Sequence, residues 1–215
     1  MTLELWLVYL AAAVGLSLTP GPNGLLALTH GIRFGPRKTV PTVVGGIIGF
    51  VILVALSISG LGALLAASER AFMMVKWAGA AYLVYLGVRL WLAPSPLVDA
   101  EAAVRSAAAP RSRLAGIETS WGRFRQGLLV ALSNPKALLF FAAFLPQFMV
   151  PDTSLWLQFV VLGGTFALVE LLYELLVAAM AGRLAGWLGR YGLWFNRLAG
   201  ATFIAIGALL ARAER

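Results

Sequence analysis

Charged residues are so sparse along this chain that they mark out its elements. None occurs from Leu5 to Leu28, and further apolar runs extend from about Val40 to Ala66, Met73 to Leu92, Phe124 to Met149, Leu155 to Ala181 and Leu198 to Ala211. An apolar stretch of about 20 residues can cross a bilayer as a helix, so the pattern predicts six spans. Short polar connections separate the runs: His30, Arg33, Arg37 and Lys38 after the first, and Ser68, Glu69 and Arg70 after the second. The one long polar connection, residues 93–123, begins Pro94-Ser95-Pro96, is alanine-rich, and reads as a loop rather than a domain. The predicted fold is all-α. A single polytopic membrane domain covers residues 1–215, with a first half (about 1–92), the loop (93–123) and a second half (about 124–215).

Two runs contain helix breakers where a spanning helix should be continuous. The first carries Pro20-Gly21-Pro22-Asn23, and the fourth carries Asn134-Pro135-Lys136. Other short matches recur in the same order in the two halves. Val44-Gly45-Gly46 resembles Leu162-Gly163-Gly164, and Lys76-Trp77-Ala78-Gly79-Ala80 resembles Arg197-Leu198-Ala199-Gly200-Ala201. The pattern suits a diverged duplication. Each half has an odd number of spans, so the second half inserts upside down relative to the first. Inverted repeats with helices broken at equivalent places point to a transporter with its site between the halves. Prolines that merely kink two membrane helices are the plainer alternative.

Proline cannot continue a helix but starts one well. Half-helices are therefore expected to begin at Pro22 and Pro135, deep in the membrane, with their first amides unpaired and partly positive. Two such ends can converge on one anion, a carboxylate above all. Asn23 and Asn134 are expected to line the resulting cavity, near the two-fold axis relating the halves.

The loops after spans one, three and five hold Arg33, Arg37, Lys38; Arg89, Arg105, Arg111, Arg113, Arg123, Arg125; and Arg183, Arg190, Arg197. The opposite face holds Arg70, Lys76, Arg212 and Arg215. Twelve basic residues against four place the first group in the cytoplasm and both termini in the periplasm. The first basic side chain is Arg33, so the first run is expected to be a retained span rather than a cleaved signal.

Composition agrees. The chain is 60% hydrophobic and 12% charged, with a mean hydropathy of +0.87, well away from the soluble average. Its net charge of +8 is distributed as membrane topology requires, not as a nucleic-acid-binding stripe. Without cysteine, and with His30 as the sole histidine, a thiolate site and a multi-histidine metal site are excluded. No metal, cofactor or catalytic residue is expected.

Three ionisable residues stand inside apolar runs. Lys136 lies about 18 Å into the fourth span at 1.5 Å per residue, where a charge is costly and needs a partner. That partner is a substrate carboxylate, a glutamate when the site is empty, or a purely structural counter-ion. Glu170 and Glu174, one helical turn apart in the fifth span, share a face with Tyr173 nearby. Burial and mutual repulsion suit at least one glutamate to carrying a proton or holding a substrate ammonium; alternatively, one merely neutralises Lys136. The candidate substrate residues are thus Pro20, Gly21, Pro22, Asn23, Asn134, Pro135, Lys136 and Tyr173. Glu170 and Glu174 are the candidates for proton coupling or ammonium binding. Gly45-x-x-x-Gly49 and Gly182-x-x-x-Gly186 read as close-packing surfaces. Trp6, Trp91, Trp121, Trp156 and Trp187 read as interfacial anchors, and His30 as interfacial.

The stretches "TPGPNGLLAL…GIRFGPRKT", "VKWAGAAYLVYLGVRLW", "FRQGLLVALSNPKALLFFAAFLPQF" and "AGRLAGWLG…FNRLAG" resemble the LysE/RhtB family of amino-acid exporters. The resemblance covers nearly the whole chain outside the 93–123 loop. It implies a bacterial inner-membrane exporter of amino acids or close derivatives, driven by the proton motive force. Phe50 departs from the acidic or polar residue that many members carry in span two. The span-five glutamates are not general in the family, which implies that coupling has moved to them or that the substrate differs.

The implied partners are a small amino-acid substrate, the lipid bilayer and protons, with no nucleic acid; homo-oligomerisation is left open. A metal-ion or other small-solute exporter and a non-transporting scaffold remain as alternatives. An intramembrane enzyme is disfavoured, because Ser57-Ile58-Ser59-Gly60 lacks the first glycine of a rhomboid-like motif.

Overall fold

The computed structural model describes residues 1–19, 21–67, 69–92, 119–150 and 153–183, together with 191, 193–194, 196–198, 200–201, 203–205 and 208. Pro20, most of the 93–123 loop, Gly186, Trp187 and much of the expected sixth span lie outside these residues. The elements in chain order are α1 (Leu3–Leu18), α2 (Pro22–Phe34), α3 (Pro36–Ala67), α4 (Glu69–Leu92), α5 (Ser120–Leu132), α6 (Pro135–Ala143), a 3-10 turn (Leu145–Phe148), α7 (Leu155–Gln158), a π turn (Phe159–Gly163) and α8 (Gly164–Ala179). All regular structure among the described residues is helical.

The first expected span is two helices. Thr2 caps α1 by accepting from the Leu5 amide at 3.3 Å. A residue before proline is pushed to extended backbone, and Thr19 has φ −65° and ψ 123°. Gly21 is also extended, and Pro22 opens α2. Gly35, at φ 79°, ends α2, a backbone conformation that favours glycine. The axes of α1 and α2 differ by 53°. The fourth span repeats the device: α5 stops before Ser133, Pro135 opens α6, and the bend is 51°.

Among the described residues, Pro36–Gly60 and Leu155–Ala179 are long and apolar enough to cross a membrane, and the two bent pairs pass the same test if each pair is taken as one span. Side-chain placement fits a lipid surround. On α3, Val40, Val44, Ile48, Ile52 and Leu56 form an exposed apolar stripe, and their spacing of four keeps them on one face. On α8, Leu168, Leu172 and Leu176, with the cap residue Met180, do the same. Glu170 and Glu174 point the other way and are buried.

The backbones of α3 and α5 touch. A Cβ on Gly45 would overlap the Phe124 carbonyl oxygen, and one on Gly127 would overlap that of Thr42. Gly45 and Gly49 are therefore packing glycines, as expected. Among the described residues a Cβ on Gly182 would meet nothing within 4 Å, and Gly186 lies outside them. Trp91, Trp121 and Trp156 are exposed, whereas Trp6 donates to Thr165 Oγ1 at 3.1 Å.

Two apolar clusters flank the breaks. The larger joins α1, α3, α6 and α8 through Tyr9, Phe50, Phe140, Phe144, Phe148 and Phe166. Phe50 stacks edge-on against Phe166 at 5.5 Å, which gives the apolar residue in span two a packing role. Tyr9 donates to the Leu162 carbonyl at 3.0 Å, inside the π turn. The smaller cluster joins α2 to the far end of α8 through Ala27, Leu28, Val177 and Ala181. The polar break lies between the two.

Candidate functional site at the helix breaks

The end of α1 presents carbonyl oxygens, the partly negative end of a helix. Thr19 satisfies some of this end, with its amide 3.1 Å from both Gly15 O and Leu16 O and its hydroxyl donating to Gly15 O at 2.8 Å. The Lys136 ammonium completes the cap. Its Nζ donates to Leu16 O and Thr19 O, each at 2.9 Å. Glu170 and Glu174 lie within its electrostatic reach. The sequence offered Lys136 a carboxylate partner; its hydrogen bonds go to backbone carbonyls of the other half.

The two half-helices begin differently. Gly21 caps α2 without a side-chain bond. Asn134 caps α6 fully: its Oδ1 accepts from the amides of Lys136 at 3.0 Å and Ala137 at 3.4 Å. The expectation of two open amide ends is therefore corrected. Only α2 starts without a side-chain acceptor, because asparagine is among the best N-caps and glycine has no acceptor to give. The Asn134 amide nitrogen donates to Asn23 Oδ1 at 3.1 Å.

On α8, Glu170 Oε1 is 3.0 Å from Ser17 Oγ, which is also 2.9 Å from Ala13 O. One hydroxyl hydrogen faces two acceptors and serves one at a time. Glu174 stands beside the Asn23 side chain, over Gly46, and its Oε1 has no hydrogen-bond partner among the described residues. The Tyr173 hydroxyl closes over Gly24, where a Cβ would come within 2.9 Å of it.

A small cavity joins these groups. Asn23, Asn134, Lys136, Glu170 and Tyr173 line it, with Phe50 and Phe166 as its apolar wall. The space open to the centre of a water is about 10 Å³, room for about one molecule. Of the expected residues, Gly21 also lines the cavity, Pro22 and Pro135 start the half-helices beside it, and Pro20 lies outside the described residues. Glu174 is buried behind Asn23 rather than on the wall. Sequence reasoning missed Ser17 and the Leu16 and Thr19 carbonyls. Ser17 had a faint signal, sitting three residues before Pro20 on the last turn of α1.

His30 is not exposed. It is buried, with Nδ1 2.7 Å from Thr42 Oγ1 and its ring edge-on to Phe34 at 5.2 Å. Arg33 and Arg123 flank the same Phe34 ring at 5.3 and 5.2 Å. Among the described residues no three His, Asp or Glu side chains converge as a metal site.

The model of the LysE type translocator family matches residues 14–214. A homoserine/homoserine lactone efflux protein of Salmonella typhimurium is 34% identical, over 100% of this chain and 99% of its own length. An uncharacterized membrane protein of Vibrio cholerae is also 34% identical, over the whole of both chains. A leucine efflux protein of an Enterobacter species is 30% identical, over 97% of this chain and 95% of its own. No solved structure matches. The chain is a multi-pass membrane protein and a translocator rather than an enzyme; it belongs to the LysE type translocator family.

Proposed function

We propose that this chain exports an amino acid or a close amino-acid derivative across the bacterial inner membrane, coupled to protons. One observation carries the reading: a buried polar cavity sits at two broken helices and holds both an amine and a carboxyl side chain, Lys136 with Glu170. A lipid-embedded protein keeps such groups at a cost, and a zwitterion matches them. The efflux relatives are named for homoserine, its lactone and leucine, which supports a small amino-acid cargo over a metal ion or a scaffold role.

Six spans in two inverted halves support alternating access around this cavity. Gly21-Pro22 and Asn134-Pro135 occupy the same cap and first-turn positions of their half-helices, as equivalent places in a repeat should. Asn23 touching Asn134 suits residues close to the axis between halves. The basic residues put both termini in the periplasm. Gly21, Pro22, Asn23, Asn134, Pro135, Lys136 and Tyr173, with Pro20 beside them in sequence, form the substrate site. Glu170 is the coupling group closest to it, and Glu174 is a second titratable group behind it.

Export is tested in cells fed a leucine- or homoserine-containing dipeptide, which is hydrolysed inside. Cells making this protein should release the free amino acid faster than cells without it. Equal release, with the protein present in the membrane, contradicts the reading.

A further inference from the structure

We propose that the carbonyl pocket now holding the Lys136 ammonium is the seat of the substrate's ammonium, and that Lys136 is a tethered placeholder which a zwitterion displaces. The inference rests on the reading of the chain as an amino-acid exporter.

The pocket is built for a cation. Leu16 O and Thr19 O each accept from Nζ at 2.9 Å, both at the negative end of α1, and Glu170 lies on the same cavity wall. Three residues beyond Thr19, α2 begins without a side-chain cap, so its positive end faces the same break. A negative backbone end followed by a positive one is the complement of an α-ammonium beside an α-carboxylate. The other half-helix offers no such end, because Asn134 has taken its amides. A second contact to a carboxylate must come from a side chain, and Lys136 is the cation at hand.

The cavity cannot take an amino acid while Lys136 fills it, since its free space suits about one water. The lysine stem is long and has four rotatable bonds. Gly21 leaves it a path, for a Cβ there would stand 2.9 Å from Nζ and 3.0 Å from Cε.

Displacement alone would leave a buried ammonium without a partner, which is costly. A zwitterion removes that cost. Its ammonium takes the carbonyl pocket, its carboxylate takes the displaced Lys136, and the net charge of the cavity changes by nothing. An amine without a carboxylate strands Lys136. A carboxylate without an amine leaves the carbonyls open. Selection for zwitterions then follows from the exchange of ion partners.

The test is competition against labelled leucine on purified protein in detergent, with homoserine run alongside. The competitors are leucinamide, which keeps the ammonium and lacks the carboxylate, and 4-methylpentanoate, which is the reverse. In the wild type neither competes well. In Lys136→Met the pocket is open, and the preference for leucine over leucinamide should fall by about tenfold or more. An unchanged preference overturns the proposal. A second readout uses the intact protein, so it decides even if the variant does not fold. With ¹⁵N-lysine label the chain has three side-chain ammonium signals, from Lys38, Lys76 and Lys136. Saturating leucine should move the Lys136 signal and leucinamide should not; a Lys136 signal indifferent to bound leucine overturns the placeholder role. If the wild type binds neither leucine nor homoserine, the export reading fails and this inference falls with it.

Discussion

Asn134 donates from its amide nitrogen to Asn23 Oδ1 at 3.1 Å, so one buried bond ties the break in the second half to the break in the first. The two partners are not equal. Asn134 also caps α6, while the cap of α2 is Gly21 and Asn23 lies inside the helix. Asn134→Ala should lose a cap and leave the Asn23 oxygen unsatisfied, about 2–4 kcal/mol together. Asn23→Ala loses only the shared bond and its neighbours, about 1–3 kcal/mol. Unfolding in detergent should rank Asn134→Ala as the less stable of the two, and the reverse order contradicts the cap assignment.

Two glycines separate packing from function. At Gly127 an added Cβ meets the Thr42 backbone, which cannot move without parting α3 from α5. Gly127→Ala should yield little monodisperse protein. At Gly21 the described atoms nearest the added Cβ are those of the Lys136 side-chain end, a flexible group. Gly21→Ala should fold, and its substrate exchange should drop several-fold. Normal exchange by folded Gly21→Ala would show that the path of Lys136 past this residue does not matter.

Under the proposed proton coupling, Glu170 is the first candidate to carry the proton. An ionised Glu170 takes the Ser17 hydrogen; a protonated one gives its own to Ser17, which then turns to Ala13 O, 2.9 Å away. The hydroxyl accommodates both states without moving the backbone. Glu170→Gln keeps the shape and loses the titration. It should still exchange substrate and fail to accumulate it under a pH gradient. Glu174→Gln should do so only if the second carboxylate carries the proton. Full gradient-driven accumulation by the double variant excludes both.

Orientation is tested at the C-terminus. A reporter fused after Arg215 that is active only in the periplasm should work. Activity there of a reporter that functions only in the cytoplasm reverses the topology.

The breaks were legible in the sequence because their cause is local: proline at the first helical position, and an extended residue before it. The α6 cap was equally local, since Asn134 directly precedes Pro135, and its consequence for the open amides could have been drawn. The burial of Lys136 was also legible, but its bonds were not. Its acceptors are main-chain oxygens at Leu16 and Thr19, and every residue type carries such an oxygen, so nothing in the letters points to them. Glu170 and Glu174 share a face by spacing. That only one reaches the cavity wall depends on where α2 lays Asn23, a tertiary fact. His30 looked interfacial beside a basic loop. Its burial follows from the packing of α2 on α3, where Thr42 supplies a partner.

Counterflow in proteoliposomes decides whether the cavity at the breaks carries amino acids. Vesicles holding purified protein and unlabelled leucine or homoserine inside are diluted into the same amino acid, labelled, at trace level. The wild type should take up label transiently, above empty vesicles and above vesicles loaded with no amino acid. Folded Gly21→Ala should do so several-fold less. No counterflow of either amino acid by folded wild-type protein would contradict an amino-acid exporter of this kind.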